Sequence, residues 1–406
     1  MLRLPIWAVA LAVGLACLGV ACGGARSPQP FRIGTVLPYT GDLGNSGPPM
    51  RNGADLAAEL INDAGGVRGR PVRPVHRDSG TNPQVAIEAA RALVNVQGVK
   101  AIVGAASSNE TLAVAQTVTI PGGVVLVSPA STSPALTAVS DDDLLFRTVV
   151  SDAAQGAVLA RLARELGYQT AAVIYVNNAY GEGLANVFRL TFEAQGGKVL
   201  VLVPQESGQA SYLPELRRAT QGRPEVLVAI SYPESAGVYL REALDGGFIN
   251  KFMFVDGTKN QDLFDRLGSD RFNGFYGTAP GTPESDTGRV FRQLYEERFG
   301  QLPTNPFIGE SFDAFVLLSL AIQKSGKYEG PAIRDALREV ANPPGEKVGP
   351  GDIAKALALL RDGKDIDYEG VAGSQNIDAH GDVANTIEIW KIEGGRITST
   401  GRFEAP

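Results

Sequence analysis

The sequence predicts an α/β protein of two doubly wound parallel-sheet lobes joined by a hinge that the chain crosses more than once. Length is the first reason: 406 residues exceed what one hydrophobic core usually serves. Alternation is the second. From Phe31 onward short apolar runs take turns with helical stretches, the pattern of a parallel sheet covered on both faces. The third is that the series starts afresh near Thr170, so the architecture is used twice.

In the first series, strands are expected over 31–37, 72–77, 100–103 and 124–127, with helices over 49–63 and 83–94. The 83–94 helix places Val85, Ala89 and Leu93 four apart, beside Ala86, Ala90 and Val94, which predicts one apolar face. Asn82 is suited to cap it, and Pro83 fits a first turn that needs no N–H. The second series expects strands over 170–175, 198–203, 225–230 and 251–255, with a helix from Tyr180. Ser151 or Asp152 could cap the helix that opens it. The last third reads differently. Helices over 287–299, 308–324, 331–340 and 353–360 precede a single late strand over 386–392. The chain is therefore expected to return to lobe one and cross again, giving lobe one as 31–148 with 280–367 and lobe two as 149–279 with 368–406.

The N-terminus places the chain outside the cytoplasm. One basic residue, Arg3, precedes an uncharged apolar run from Leu4 to Val20, which reads as a signal peptide over 1–21. At roughly 17 residues the run is near the lower limit for spanning a bilayer, the alternative reading. Leu18-Gly19-Val20-Ala21-Cys22 resembles the lipobox of bacterial lipoproteins, with Cys22 as the lipidated residue and Cys17 in a similar context. The stretch 22–30 then reads as a tether, and the membrane is met through a lipid anchor only. With only these two cysteines in the chain, the mature domain has no thiol pair for a disulfide. A formal charge of −7, with no Lys or Arg run, argues against nucleic acid as a partner.

Catalytic patterns are weak. His76 and His380 lie near no serine motif, Gly309-Glu310-Ser311 ends on Asp313 where a nucleophile elbow needs glycine, and Gly181-Glu-Gly183 lacks the third glycine of a dinucleotide fingerprint. Asp141-Asp-Asp143 reads as a solvated turn, and no Cys/His metal spacing occurs. No enzyme activity, cofactor or metal is expected. Two small-polar loops stand out instead: Gly104-Ala-Ala-Ser-Ser108 and Ser128-Pro-Ala-Ser-Thr132, each directly after a lobe-one strand. Ligands of open parallel sheets bind beyond the carboxyl ends of strands, where hydroxyls and free N–H groups suit a carboxylate. The same hydroxyls also cap helices and turns, and the residues alone leave both readings open.

At these positions the chain resembles the branched-chain amino-acid-binding branch of the type I periplasmic binding proteins, the receptors of ABC importers. The resemblance runs in order through Gly34-Thr-Val-Leu-Pro-Tyr-Thr-Gly41, Asn52-Gly-Ala54, Ile61-Asn-Asp-Ala-Gly-Gly-Val67, Ile102-Val-Gly104, Ser128-Pro-Ala130, Tyr180-Gly-Glu-Gly183 and Tyr232-Pro-Glu234. It implies a carboxylate held by Ser108 and Thr132, an ammonium received by the Ala130 carbonyl and Asp256, and a closing aromatic, Tyr180, with Tyr232 nearby. Tyr180 could instead be a staple at a helix start. Ser46 stands where leucine-type receptors have a large aromatic, and Ser107 occupies one position of the family's usual disulfide. The implied partners are a small-molecule ligand, an amino acid, and ABC permease and ATPase subunits; the rival reading is a sensor for amides or other solutes.

Overall fold

The computed structural model describes residues 29–405; the signal-peptide and lipidation readings, on 1–22, lie outside the described residues. In lobe one, β1 (Phe31–Leu37), β2 (Val72–Asp78), β3 (Ala101–Gly104), β4 (Val125–Ser128) and β5 (Leu145–Arg147) form a wholly parallel sheet in the order β2-β1-β3-β4-β5. Lobe two holds β6 (Thr170–Val176), β7 (Lys198–Gln205), β8 (Val226–Ile230), β9 (Phe252–Phe254) and β10 (Tyr276–Pro280), again parallel. A small sheet follows, made of β11 (Glu346–Val348), β12 (Ile366–Gly370) and β13 (Gly373–Ser374). The antiparallel pair β14 (Ile387–Glu393) and β15 (Arg396–Glu404) then completes the second sheet in the order β15-β14-β10-β9-β8-β6-β7.

The two lobes have separate cores. In lobe one, helix Ile308–Ser325 is apolar on nearly every side, as a helix enclosed by its own domain must be; it packs with β1, β3 and the helices Gly330–Ala341 and Ile353–Arg361. In lobe two an aromatic group centred on Phe254, Phe264, Phe272 and Trp390 fills one side of the sheet. The chain crosses between lobes three times, after β5, after β10 and before β14.

Four expectations need correction. The second and third crossings lie later than 279/280 and 367/368. Pro280 still pairs with Ile387 in the lobe-two sheet, while Tyr368, Ile377 and Val383 are buried in the lobe-one core, so the last crossing falls between Val383 and Ile387. The late strand is not single but half of a hairpin. Gly394 and Gly395, both at positive φ, form the tight turn that reverses β14 into β15. In helix Pro83–Arg91 Asn82 caps through Gln84 N–H and Val85 N–H, but Val85 is 45% exposed. Val85 lies against the turn at Gly80, and the buried face is Ala86, Ala89, Ala90 and Leu93. The Asp141–Asp143 turn is not merely solvated: Asp141 accepts the N–H groups of Asp143 and Leu145, and Asp143 forms a two-pronged pair with Arg338.

Two buried carboxyls show how polar groups are tolerated in lobe one. Asp313, fully buried, accepts Tyr368 OH at 2.8 Å and the N–H groups of Val371 and Ala372 at 2.9 Å each. It thereby fastens the strand leading to the last crossing. Glu110, fully buried in helix Ser108–Val114, accepts the Ser107 N–H at 3.3 Å, and burial pushes its carboxyl up to about 7. Asp313→Ala, which leaves three donors unsatisfied, is expected to destabilise the protein by about 3 kcal/mol, read as a lower urea midpoint with unchanged slope. For Glu110 the folded state holds its proton more tightly than the unfolded chain. Stability from this group is therefore greatest below its unfolded value and falls as pH rises towards about 7. Glu110→Gln removes that fall, on the order of 3 kcal/mol, and melting curves of both proteins from pH 4 to 8 would check it.

Candidate functional site

Between the lobes lies a small cavity walled by residues that follow the carboxyl ends of strands in both sheets. Ala106 and Ser108 come just after β3, Ala130 after β4, Tyr180 after β6, Tyr232 after β8, and Asp256 after β9. Each of these strands delivers its next residues to the same cleft because β1–β5 in one sheet and β6–β10 in the other run parallel, so their tips point one way. Leu43, Ser46, Met50 and Phe307 add a mostly apolar wall from lobe one.

Asp256 is the one carboxylate in that wall. It is 4% exposed, and its Oδ1 accepts Tyr180 OH and Gln155 Nε2, both at 2.8 Å. Tyr180 OH also receives the Gly257 N–H at 3.3 Å, a close approach that only glycine permits. A Cβ there would come within 2.5 Å of the Ser231 carbonyl. The Tyr180 ring stacks on Tyr232 with centroids 5.6 Å apart and planes 9° apart. Behind Asp256 sits Asp152, fully buried, whose Oδ2 accepts Thr132 Oγ1 at 2.9 Å. Burial raises both carboxyls above the usual range, and the negative charge of Asp256 raises Asp152 further. No ion pair reaches Asp256 among the described residues.

The two hydroxyl-rich loops divide their labour. In the second, Ser128 Oγ and Ser131 Oγ donate to the Ala105 carbonyl of the first, Ser131 Oγ also meets Thr111 Oγ1 at 2.7 Å, and Arg147 Nη1 holds the carbonyls of Ser131 and Ser133. Arg147, 1% exposed, is fixed in turn by Asp382 through two bonds of 2.7 Å. Ser108 differs. Its Oγ accepts the Ser133 N–H at 3.2 Å and donates to no group of the protein among the described residues, so its proton is available to the cavity.

Of the seven candidates from the sequence, the structure brings six together: Ser46, Ser108, Ala130, Tyr180, Tyr232 and Asp256. Thr132 is the exception. Its hydroxyl points to Asp152 at the start of helix Asp152–Glu165, because a fully buried carboxyl needs a donor and Thr132 is positioned to give it. In this structure the Thr132 hydroxyl is thus spent on Asp152 while that of Ser108 is not. Met50, Phe307, Lys259 and Asn260 were missed. The last two share the short turn after β9 with Asp256, a signal within reach; Phe307 follows no strand and gives none.

The lobes touch across the cleft through polar groups. Tyr232 OH donates to Ser107 Oγ at 3.3 Å, Ser133 Oγ to the Ala179 carbonyl at 2.7 Å, and Ser235 Oγ to Asp42 Oδ2 at 2.5 Å. Among the described residues no cluster of three or more His, Cys, Asp or Glu side chains could hold a metal, and no helix is long and apolar enough to cross a membrane.

Comparison with known proteins agrees with this geometry. A periplasmic binding protein family model matches residues 30–355. The chemotactic signal transduction system substrate-binding protein BasB of Halobacterium salinarum is 29% identical over 360 residues, covering 86% of this chain and 84% of that protein. The leucine-, isoleucine-, valine-, threonine- and alanine-binding protein of Pseudomonas aeruginosa is 28% identical over 310 residues, 76% of this chain and 82% of its own. Among solved structures, the leucine-binding protein LivK of Thermotoga maritima superposes with a TM-score of 0.79 at 24% identity, covering 92% of this chain and 99% of that one. With a matching family model over most of its length and the two-lobed fold to go with it, this chain belongs to the periplasmic binding protein family.

Proposed function

We propose that this protein is an extracytoplasmic solute-binding lipoprotein that captures an α-amino acid between its lobes and delivers it to an ABC importer. One observation carries the reading: a closed, mostly apolar cavity presents an unpaired buried carboxylate, Asp256, together with an uncommitted hydroxyl, Ser108. That pair of groups matches the two charged ends of an α-amino acid. The ammonium goes to Asp256, with the Ala130 carbonyl as a second acceptor, and forms a charge-assisted bond in a desolvated site. The carboxylate takes the Ser108 proton, and Tyr180 and Tyr232 enclose the ligand from lobe two. Met50, Leu43 and Phe307 receive the aliphatic part of the ligand's side chain. Ser46, small and polar at the rim, leaves room beyond leucine. Thr132 acts indirectly by holding Asp152 in place.

A second reading has one observation in its favour: the Halobacterium relative is named for chemotactic signal transduction. In that reading the same closure is read by a receptor rather than a permease. Neither reading assigns the protein a reaction.

A melting screen of the domain without Cys22, against amino acids and small carboxylates, tests the proposal. A true ligand at 100 times its dissociation constant should add roughly 2.7 kcal/mol of stability. Asp256→Ala should then weaken binding by about 2 kcal/mol or more, and unchanged affinity on calorimetry would remove Asp256 as the ammonium site. Because burial raises the Asp256 carboxyl, binding of the zwitterion should weaken as pH falls through its elevated range, and Asp256→Asn should flatten that dependence.

A further inference from the structure

A second cleft, of about 440 Å³, opens on the hinge side of the ligand cavity. Both lobes line it, with Pro280, Gly281 and Glu388 from lobe two, and Glu310 and Val371 from lobe one. It is not separate from the inner cavity, since Lys259, Pro306 and Phe307 belong to the walls of both. These three side chains form the partition.

The partition has two unusual members. Phe307 has φ +74°, a left-handed conformation in which a bulky residue is strained, and it sits at the first turn of helix Ile308–Ser325 with its ring on both cavities. Lys259 reaches past the inner cavity to Glu388 Oε2 at 2.5 Å, the two side chains being 13% and 12% exposed. Glu388 lines the outer cleft alone, so the aliphatic stem of Lys259 faces inward and its ammonium outward. That ammonium is already matched by Glu388. Glu310, on the outer wall, has no side-chain partner among the described residues, and burial pushes its carboxyl up to about 8. The outer cleft therefore carries three acidic side chains, Glu284, Glu310 and Glu388, against two basic ones, Lys259 and Arg292. Lys259 pairs with Glu388 and Arg292 with Glu284, which leaves Glu310 as the acid without an ion pair among the described residues.

Resting on the amino-acid reading above, we propose that the outer cleft is a distal subsite for the ligand's side chain, and that the preferred ligands are α-amino acids whose long aliphatic stem ends in an ammonium or guanidinium group received by Glu310. The stem passes between Lys259 and Phe307, whose apolar surfaces suit methylenes. Its cationic end meets Glu310, which has no ion-pair partner among the described residues and whose carboxyl, raised to about 8 by burial, gives up its proton when a cation arrives beside it.

Calorimetry on the protein with L-arginine, L-lysine, L-norleucine and L-glutamate tests this, using Glu310→Gln and Asp256→Asn. The expected result is that arginine or lysine binds about tenfold or more tighter than norleucine. Glu310→Gln should abolish that advantage while leaving norleucine affinity unchanged and the melting temperature of the unliganded protein no lower than that of the parent. Norleucine equal to or tighter than the cationic ligands, glutamate tighter than both, or a Glu310→Gln loss shared equally by norleucine would each overturn the distal subsite. If norleucine binds and Asp256→Asn abolishes it while no cationic preference appears, the receptor reading stands and only the subsite falls. If no α-amino acid binds, both fall together.

Discussion

Burial of the Asp256 carboxylate is the constraint on which the rest of the site depends. Placing an ionised carboxyl in a closed cavity carries a penalty of several kcal/mol unless a cation meets it. Among the described residues no cation does so, and its side-chain donors are a tyrosine hydroxyl and a glutamine amide. Asp152 lies close enough for the two charges to oppose each other, which adds to the penalty. The closed form without ligand is therefore held against an electrostatic load. In the proposed function a ligand that brings a positive charge to Asp256 would remove that load only when the lobes are shut, and differential affinity of this kind is what moves a two-state equilibrium.

For such a load to control closure, the lobes themselves must be indifferent to it. Each lobe keeps its own core, one around helix Ile308–Ser325 and one around Phe254 and Trp390, so a hinge motion breaks neither. The polar contacts made across the cleft include single hydrogen bonds, Tyr232 to Ser107, Ser133 to the Ala179 carbonyl, Ser235 to Asp42 and Asn45 to Glu234, beside limited apolar packing of Leu43 on lobe two. Each bond exchanges with water on opening and contributes about 1 kcal/mol net. A broad apolar seam would have kept the lobes shut regardless of ligand. In the proposed function, polar contacts of this size would leave the decision to Asp256, and three crossing segments would confine the motion to rotation about one edge.

Most of the parallel-sheet architecture was legible because both-face burial writes continuous apolar runs, and β1, β3, β4, β6 and β8 lie within a residue or two of where those runs predict. What was missed has a shared cause. β5 has three residues, β10 contains glycine and ends in proline, and β15 alternates polar residues along a sheet edge, so none carries a run long enough to read. The Gly394-Gly395 turn between β14 and β15 was a readable hairpin signal that went unused. At the site, residues delivered by strand tips were found, whereas Phe307 was not. It arrives from the far side of the chain at the head of a helix, and only tertiary packing brings it to the cavity.

The hydroxyl-rich loops illustrate why residue type alone left capping and ligand binding indistinguishable. Ser128, Ser131 and Thr132 are equivalent to Ser108 in composition, yet each of the three has its proton or oxygen committed inside the protein, to the Ala105 carbonyl, to Thr111 or to Asp152. Those commitments make the loops rigid, and rigidity is what allows the remaining group to face the cavity in a fixed direction. A loop in which every hydroxyl reached for the ligand would have none left to hold its own backbone. One free donor among several fixed ones is therefore the arrangement that a preorganised anion contact requires, and the bonds within these loops leave Ser108 in that position.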